Sequence, residues 1–194
     1  MAIGRWDPEG PPDEAYSRVT NPERFEPLHD IAEELLHRLE LKFEVELTQR
    51  YGLDPELEES CKLARPSIML LPMGVDTAPI VVTFSAFPGL HLRFGRWHTT
   101  AFPSCGCDAC DETAESEAQR LTSLIEDTTA GRFREAIKIP VAGDAWKESE
   151  FWLSGVRSIR QSSRLDPDRA RQLLAGDNSL VYEWKPWPLR HAPR

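Results

Sequence analysis

Apolar residues recur along this chain with two periods, and the changes between them mark out its elements. Asn21-Pro22 reads as an N-cap followed by a proline at the first helical position. Leu28, Ile31, Leu35 and Leu39 then follow at spacings of three and four, widened by Ala32 and Leu36. That stripe predicts an amphipathic helix with one face on a core. From Phe43 the period becomes two: Phe43, Val45, Leu47 and Tyr51 alternate with Glu44, Glu46, Thr48 and Arg50, as in a strand with one wet face. Residues 52–59 form an acidic loop. Three short strands are predicted next, over residues 67–71, 80–87 and 90–97, with Pro88-Gly89 as the tight turn of an antiparallel hairpin.

A second helix is predicted after Asp111, which would cap it. Ala114, Ala118, Leu121, Ile125 and Thr128 carry its stripe, and Gly131 sits where a C-terminal cap belongs. Phe133, Ile137, Ile139 and Val141 share one parity and predict a strand. Residues 146–159 are apolar but fit neither period. Asp166-Pro167 opens a short third helix through Ala170, Leu173 and Leu174, ended by Gly176. Leu180, Tyr182 and Trp184 make a last strand, stopped by Pro186 and Pro188. Strands come in a run rather than alternating with helices. The expected fold is therefore α+β: a single domain over residues 21–194 with a largely antiparallel sheet, two main helices and a short third. Residues 1–20, with Pro8, Pro11, Pro12 and Trp6, read as an irregular Pro-rich arm.

The length of 194 residues suits one domain with a substantial core. Lys plus Arg is 23 against 32 Asp plus Glu, a formal charge of −9. An acidic chain argues against nucleic acid and anionic membranes as partners. The start carries no apolar signal segment and no stretch is long enough to span a bilayer, so a cytoplasmic location is expected.

The chemistry concentrates in one segment. Cys105, Cys107 and Cys110 fall within six positions, with Cys61 far away. In a reducing compartment such a cluster reads as metal-binding or redox-active before it reads as a structural disulfide. Gly106 lets the backbone curl so that three thiols converge, and zinc needs one more ligand to complete its tetrahedron. His98, seven residues upstream of Cys105 at a strand end, is the first choice; Cys61, Asp108 and His91 are weaker. The spacing of Cys107 and Cys110 also suits a dithiol next to a helix start, where the dipole favours thiolate. Inert thiols are the bland alternative. Arg93, Arg96 and Trp97, with Arg132, are candidates for a small ligand or partner surface, or for ordinary ion pairs. Four of the six tryptophans, Trp146, Trp152, Trp184 and Trp187, read mostly as packing, with 184–188 as either a docking strip or a tail laid on its own core.

Other chemistry finds little support. His29, Glu33 and His37 share a helix face, but the two histidines lie eight residues, roughly 12 Å, apart. No zinc-protease, zinc-deaminase, phosphate-loop or nucleophile-elbow motif is present. The acidic residues of helices and loops read as solvated surface.

Three segments carry a resemblance: Tyr16-Ser17-Arg18-Val19-Thr20-Asn21-Pro22-Glu23-Arg24-Phe25, Arg93-Phe94-Gly95-Arg96-Trp97-His98 and Cys105-Gly106-Cys107-Asp108-Ala109-Cys110-Asp111-Glu112. Together they resemble a family of uncharacterised bacterial proteins, a domain of unknown function of about this length. The resemblance implies a stand-alone bacterial cytoplasmic protein and no particular activity. Carried onto this chain, its motifs fall on His98, Cys105, Cys107 and Cys110, and on Tyr16, Arg18, Arg96 and Trp97. The resulting expectation is a binding module, not an enzyme, with structural zinc and an unidentified protein or small ligand as partner. A thiol redox enzyme or sensor using Cys107 and Cys110 is the alternative, and the oligomeric state stays open.

Overall fold

A computed structural model describes residues 10–57, 61–139, 144–152, 158–175, 177 and 179–191. Trp6 and the start of the arm, Glu58 and Glu59 of the acidic loop, Val141 and Gly176 lie outside them. The described chain has three helices, α1 (Pro27–Lys42), α2 (Ala114–Thr129) and α3 (Pro167–Leu174). It has nine strands: β1 (Val45–Arg50), β2 (Ser67–Pro72), β3 (Ile80–Ser85), β4 (Gly89–Phe94), β5 (His98–Phe102), β6 (Phe133–Lys138), β7 (Ala145–Trp152), β8 (Ser158–Leu165) and β9 (Ser179–Glu183). The fold is α+β. The expected single sheet is two antiparallel sheets, ordered β1-β2-β3-β4-β5 and β8-β7-β6-β9. No described helix is long and apolar enough to cross a membrane.

The helical stripes do what their spacing implies. Leu28, Ala32, Leu35, Leu36 and Leu39 of α1 bury against Leu121, Leu124 and Ile125 of α2 and against Leu70, Ile80, Val82 and Leu92 of the first sheet. β3 is central and buried along its whole length. Residues 62–64 pair with the end of β3 beyond its β2 contacts, where Leu63 bridges Ser85 and the N–H of Ala64 donates to the Phe84 carbonyl. The core runs on into the second sheet. Phe151 of β7 stacks on Phe133 of β6 at 4.3 Å and meets Phe94 of β4 edge-on at 5.7 Å. Each buried phenyl ring of this kind contributes roughly 1.5–3 kcal/mol.

Several boundaries move. Asn21 makes no capping bond, and Pro22–Phe25 is a 3-10 turn; α1 starts at Pro27, which has no N–H to leave unsatisfied. A further 3-10 turn, Asp13–Ser17, lies within the expected irregular arm. Asp111 does not cap α2: Thr113 does, in a reciprocal box with Ser116. The third predicted strand stops at Phe94, and β5 was not expected. Gly95, at φ +61°, makes the turn that pairs Phe94 with His98. Of residues 146–159, those from 146 to 152 belong to β7 and 158–159 start β8, while 153–157 lie outside the described residues. Asp166 caps α3 through the N–H groups of Asp168 and Arg169, and Ala175 ends it in the left-handed region. The tail lies on its own core, Trp187 donating to the Ala78 carbonyl at 2.9 Å.

Candidate metal centre

β5 delivers the chain into the loop of residues 103–111, and groups other than thiols shape that loop. Gly106 sits at φ +80°, and a Cβ there would meet Phe87 and Pro103 at 3.1 Å, so the close left-handed turn requires glycine. The Glu112 carboxylate accepts the N–H groups of Cys105 and Gly106 at 3.2 and 2.7 Å. Arg24, stacked on Phe25, donates to the carbonyls of Gly106 (2.8 Å), Cys107 (3.4 Å) and Glu112 (3.3 Å). The buried Asp108 carboxylate holds Arg18 Nε at 3.1 Å and the Thr20 N–H and hydroxyl at 3.0 and 3.1 Å. Return bonds run from the N–H of Asp108 to Arg18 and from that of Ala109 to Ala15. Ala15, Cys107 and Ala109 close a small apolar cluster underneath.

Within this frame the sulfurs of Cys105, Cys107 and Cys110 all lie within 4.8 Å of one another. Cys107 and Cys110 are 3.4 Å apart, the Cys110 N–H reaching back to the Cys107 carbonyl. That is far longer than a disulfide bond of about 2.05 Å. It is close to the roughly 3.8 Å separating two thiolates on one tetrahedral zinc with bonds of about 2.3 Å. Cys107 is buried, while Cys105 and Cys110 are exposed. The hydrogen bond from Cys105, helped by Cys110, holds the Cys107 thiol below its ordinary range. The mirror effect of Cys107, then of Cys105 and burial, pushes Cys110 up to about 12. Three thiols this close share protons and lose them together to a cation.

The fourth ligand expected from the sequence is placed elsewhere. His98 is outside the thiol group. It opens β5, and the strand rise separates its Cα from that of Phe102, the strand's last residue, by about 13 Å. Its Nδ1 lies 2.7 Å from Ser149 Oγ, and its ring packs edge-on against Phe151 at 4.9 Å. Burial, then the positive charges of Lys147 and Arg120, lower its pKa to about 4. Asp108 is held by Arg18 and Thr20. Cys61 and His91 line a cavity of about 610 Å³ together with Phe87, and burial raises the Cys61 thiol.

The proposed ligand surface is divided too. Arg93 donates from Nε to both oxygens of the buried Asp54 at 3.0 Å. Arg96 is exposed and lies over the Tyr182 ring at 4.4 Å. Trp97, expected at the surface, is buried among Ile137, Ala145, Ala170 and Leu174. Arg132 pairs with Asp127 at 2.7 Å. Tyr16 is exposed and Arg18 serves the Asp108 contact.

Two groups escaped the sequence reading. Glu135 is buried in β6 and accepts four N–H groups: from Arg96 and Trp184 at one oxygen, from Trp97 and His98 at the other. All four partners are donors, so this is carboxylate geometry, although burial pushes its pKa up against their pull. Glu135 shares the parity of Phe133 and Ile137, so a carboxylate in the inward register of β6 was its signal in the sequence. Arg24 had one too, since it lies within the first stretch that carries the family resemblance.

The model of a family of unknown function, DUF6226, matches residues 4–191. The chain belongs to that family. No curated protein and no solved structure matches it. The family match covers the arm, the Cys loop and the tail alike, so the loop and the residues that brace it all fall inside the DUF6226 span.

Proposed function

We propose that the Cys loop is a zinc centre held by the thiolates of Cys105, Cys107 and Cys110. In this reading the protein is a cytoplasmic bacterial binding module, with a protein or small ligand as partner. The observation that carries it is the convergence of three sulfurs within 4.8 Å on a loop already braced by Arg24, Glu112 and Asp108. A loop shaped in advance lowers the ordering cost of binding an ion, and three soft donors suit zinc over calcium or magnesium. Metal there ties the end of β5 to the start of α2 and to the arm at Ala15 and Arg18.

The test is metal content with a thiol count, on protein purified without a polyhistidine tag or chelator. About one zinc per chain is expected, with Cys105 and Cys110 reacting only after chelation, and Cys105→Ser should lower the metal content. Metal-free protein whose thiols react at once overturns the reading.

One observation favours a second reading: the 3.4 Å between the sulfurs of Cys107 and Cys110 suits a dithiol couple. A dithiol enzyme needs an exposed attacking thiolate, however; Cys107, whose pKa is lowered, is buried, and the exposed Cys110 is pushed up to about 12. Reversible oxidation of that pair, unaffected by Cys105→Ser, would move the assignment to redox chemistry.

A further inference from the structure

The centre differs in one respect from a closed structural zinc site, which takes four protein ligands. Among the described residues, the three sulfurs of Cys105, Cys107 and Cys110 form the group, with no histidine or carboxylate in it. Neither Asp111 nor Glu112 belongs to that group, Glu112 Oε2 accepting two loop N–H groups, and Asp108 Oδ1 and Oδ2 are taken by Thr20 and Arg18. His98 lies near the far end of β5, against Ser149. Two of the three residues, Cys105 and Cys110, are exposed, which places the group at the protein surface.

Resting on the metal reading above, we propose that the fourth position of this centre is an exchangeable site for an external thiolate, supplied by a small thiol compound. A divalent ion with three thiolates carries a net charge of −1, which makes it a weak activator of bound water. It stays soft and prefers sulfur over oxygen. The guanidinium of Arg24, 2.8 Å from the Gly106 carbonyl and 3.4 Å from that of Cys107, puts a fixed positive charge under the loop. The Glu112 carboxylate on the Cys105 and Gly106 N–H groups balances that charge, so the preference for an added sulfur rests on the softness of the ion. On binding, the thiol's S–H bond would break with its proton passing to solvent, its sulfur lone pair would bond to the ion, and the solvent ligand of that position would leave to bulk; no redox change occurs.

Cobalt(II) reports both the metal and its fourth ligand. The full-length protein, stripped of metal and reduced, is loaded with cobalt and its absorption recorded before and after addition of L-cysteine, with imidazole and chloride as controls. A three-thiolate spectrum is expected first. On saturation with L-cysteine the thiolate-to-cobalt charge-transfer intensity should grow by about a third, three thiolates becoming four.

Failure to take up cobalt overturns the metal reading itself. Uptake with a spectrum that L-cysteine does not alter leaves the metal reading standing and overturns the open position. A four-thiolate spectrum before any addition does the same, and its loss in Cys61→Ser would identify the internal sulfur.

Discussion

His98 shows how little a residue type says about its role. An imidazole near three thiols invites a ligand assignment, yet this one is enclosed by Phe94, Phe133 and Phe151 with Ser149 at its Nδ1. Its chemistry is that of a base kept neutral. The folded chain binds its proton only near pH 4, against 6.5 in the unfolded chain. Between those values the unfolded state binds the proton and the folded state does not. The His98 contribution is therefore intact above pH 6.5 and is lost as the pH falls towards 4. Lys147 and Arg120 face it with positive charge, and Glu135 accepts its backbone N–H. Urea unfolding at pH 7 and pH 4 should show wild type losing about 3 kcal/mol more than His98→Gln. Equal losses would show that the imidazole titrates normally.

At the scale of elements, the Cys loop and the arm brace each other. Asp108 is the link, buried with three donors on its carboxylate. Asp108→Ala leaves the Thr20 N–H without its acceptor, costing roughly 1–3 kcal/mol, and frees Arg18. Limited trypsin digestion should then cut after Arg18 faster in the variant than in wild type. An unchanged rate would mean that the arm is held by Ala15 and Phe25 alone.

The same scale separates what the sequence disclosed from what it withheld. α1, α2, α3 and β6 were legible because a single apolar face leaves a clear period. β5 was not: His98-Thr99-Thr100-Ala101-Phe102 lacks strong alternation, and its turn, Gly95-Arg96-Trp97, lacks the usual paired turn residues. The three cysteines were legible from spacing alone, since a short curled loop cannot separate them far. Their neighbours were not. Asp108 and Arg24 reach partners 82 to 90 residues away in sequence, which no local pattern encodes, whereas Glu112 closes the loop from six and seven residues away.

For the whole molecule, two sheets replace the single one expected. Periodicity reports which face of a strand is buried and is silent on which strand lies beside it. The sheets share one core, with Phe94 of the first against Phe151 of the second. Glu56 also reaches across, pairing with Lys147 at 3.1 Å and with Arg169. A shared core implies joint unfolding. Phe151→Ala should cost about 3–5 kcal/mol while keeping one transition, coincident by tryptophan fluorescence and far-ultraviolet circular dichroism. Two separated transitions would show the sheets to be independent.

The four-donor seat of Glu135 bears on the order in which the protein is made. The N–H groups of Arg96, Trp97 and His98 leave the ribosome 37 to 39 residues ahead of the carboxylate that receives them, and Trp184 follows 49 residues later still. Until β6 emerges, water must serve the β4–β5 turn. The five-stranded sheet is thus finished by a residue that belongs to the other sheet, and its final closure waits for synthesis of the chain's last third.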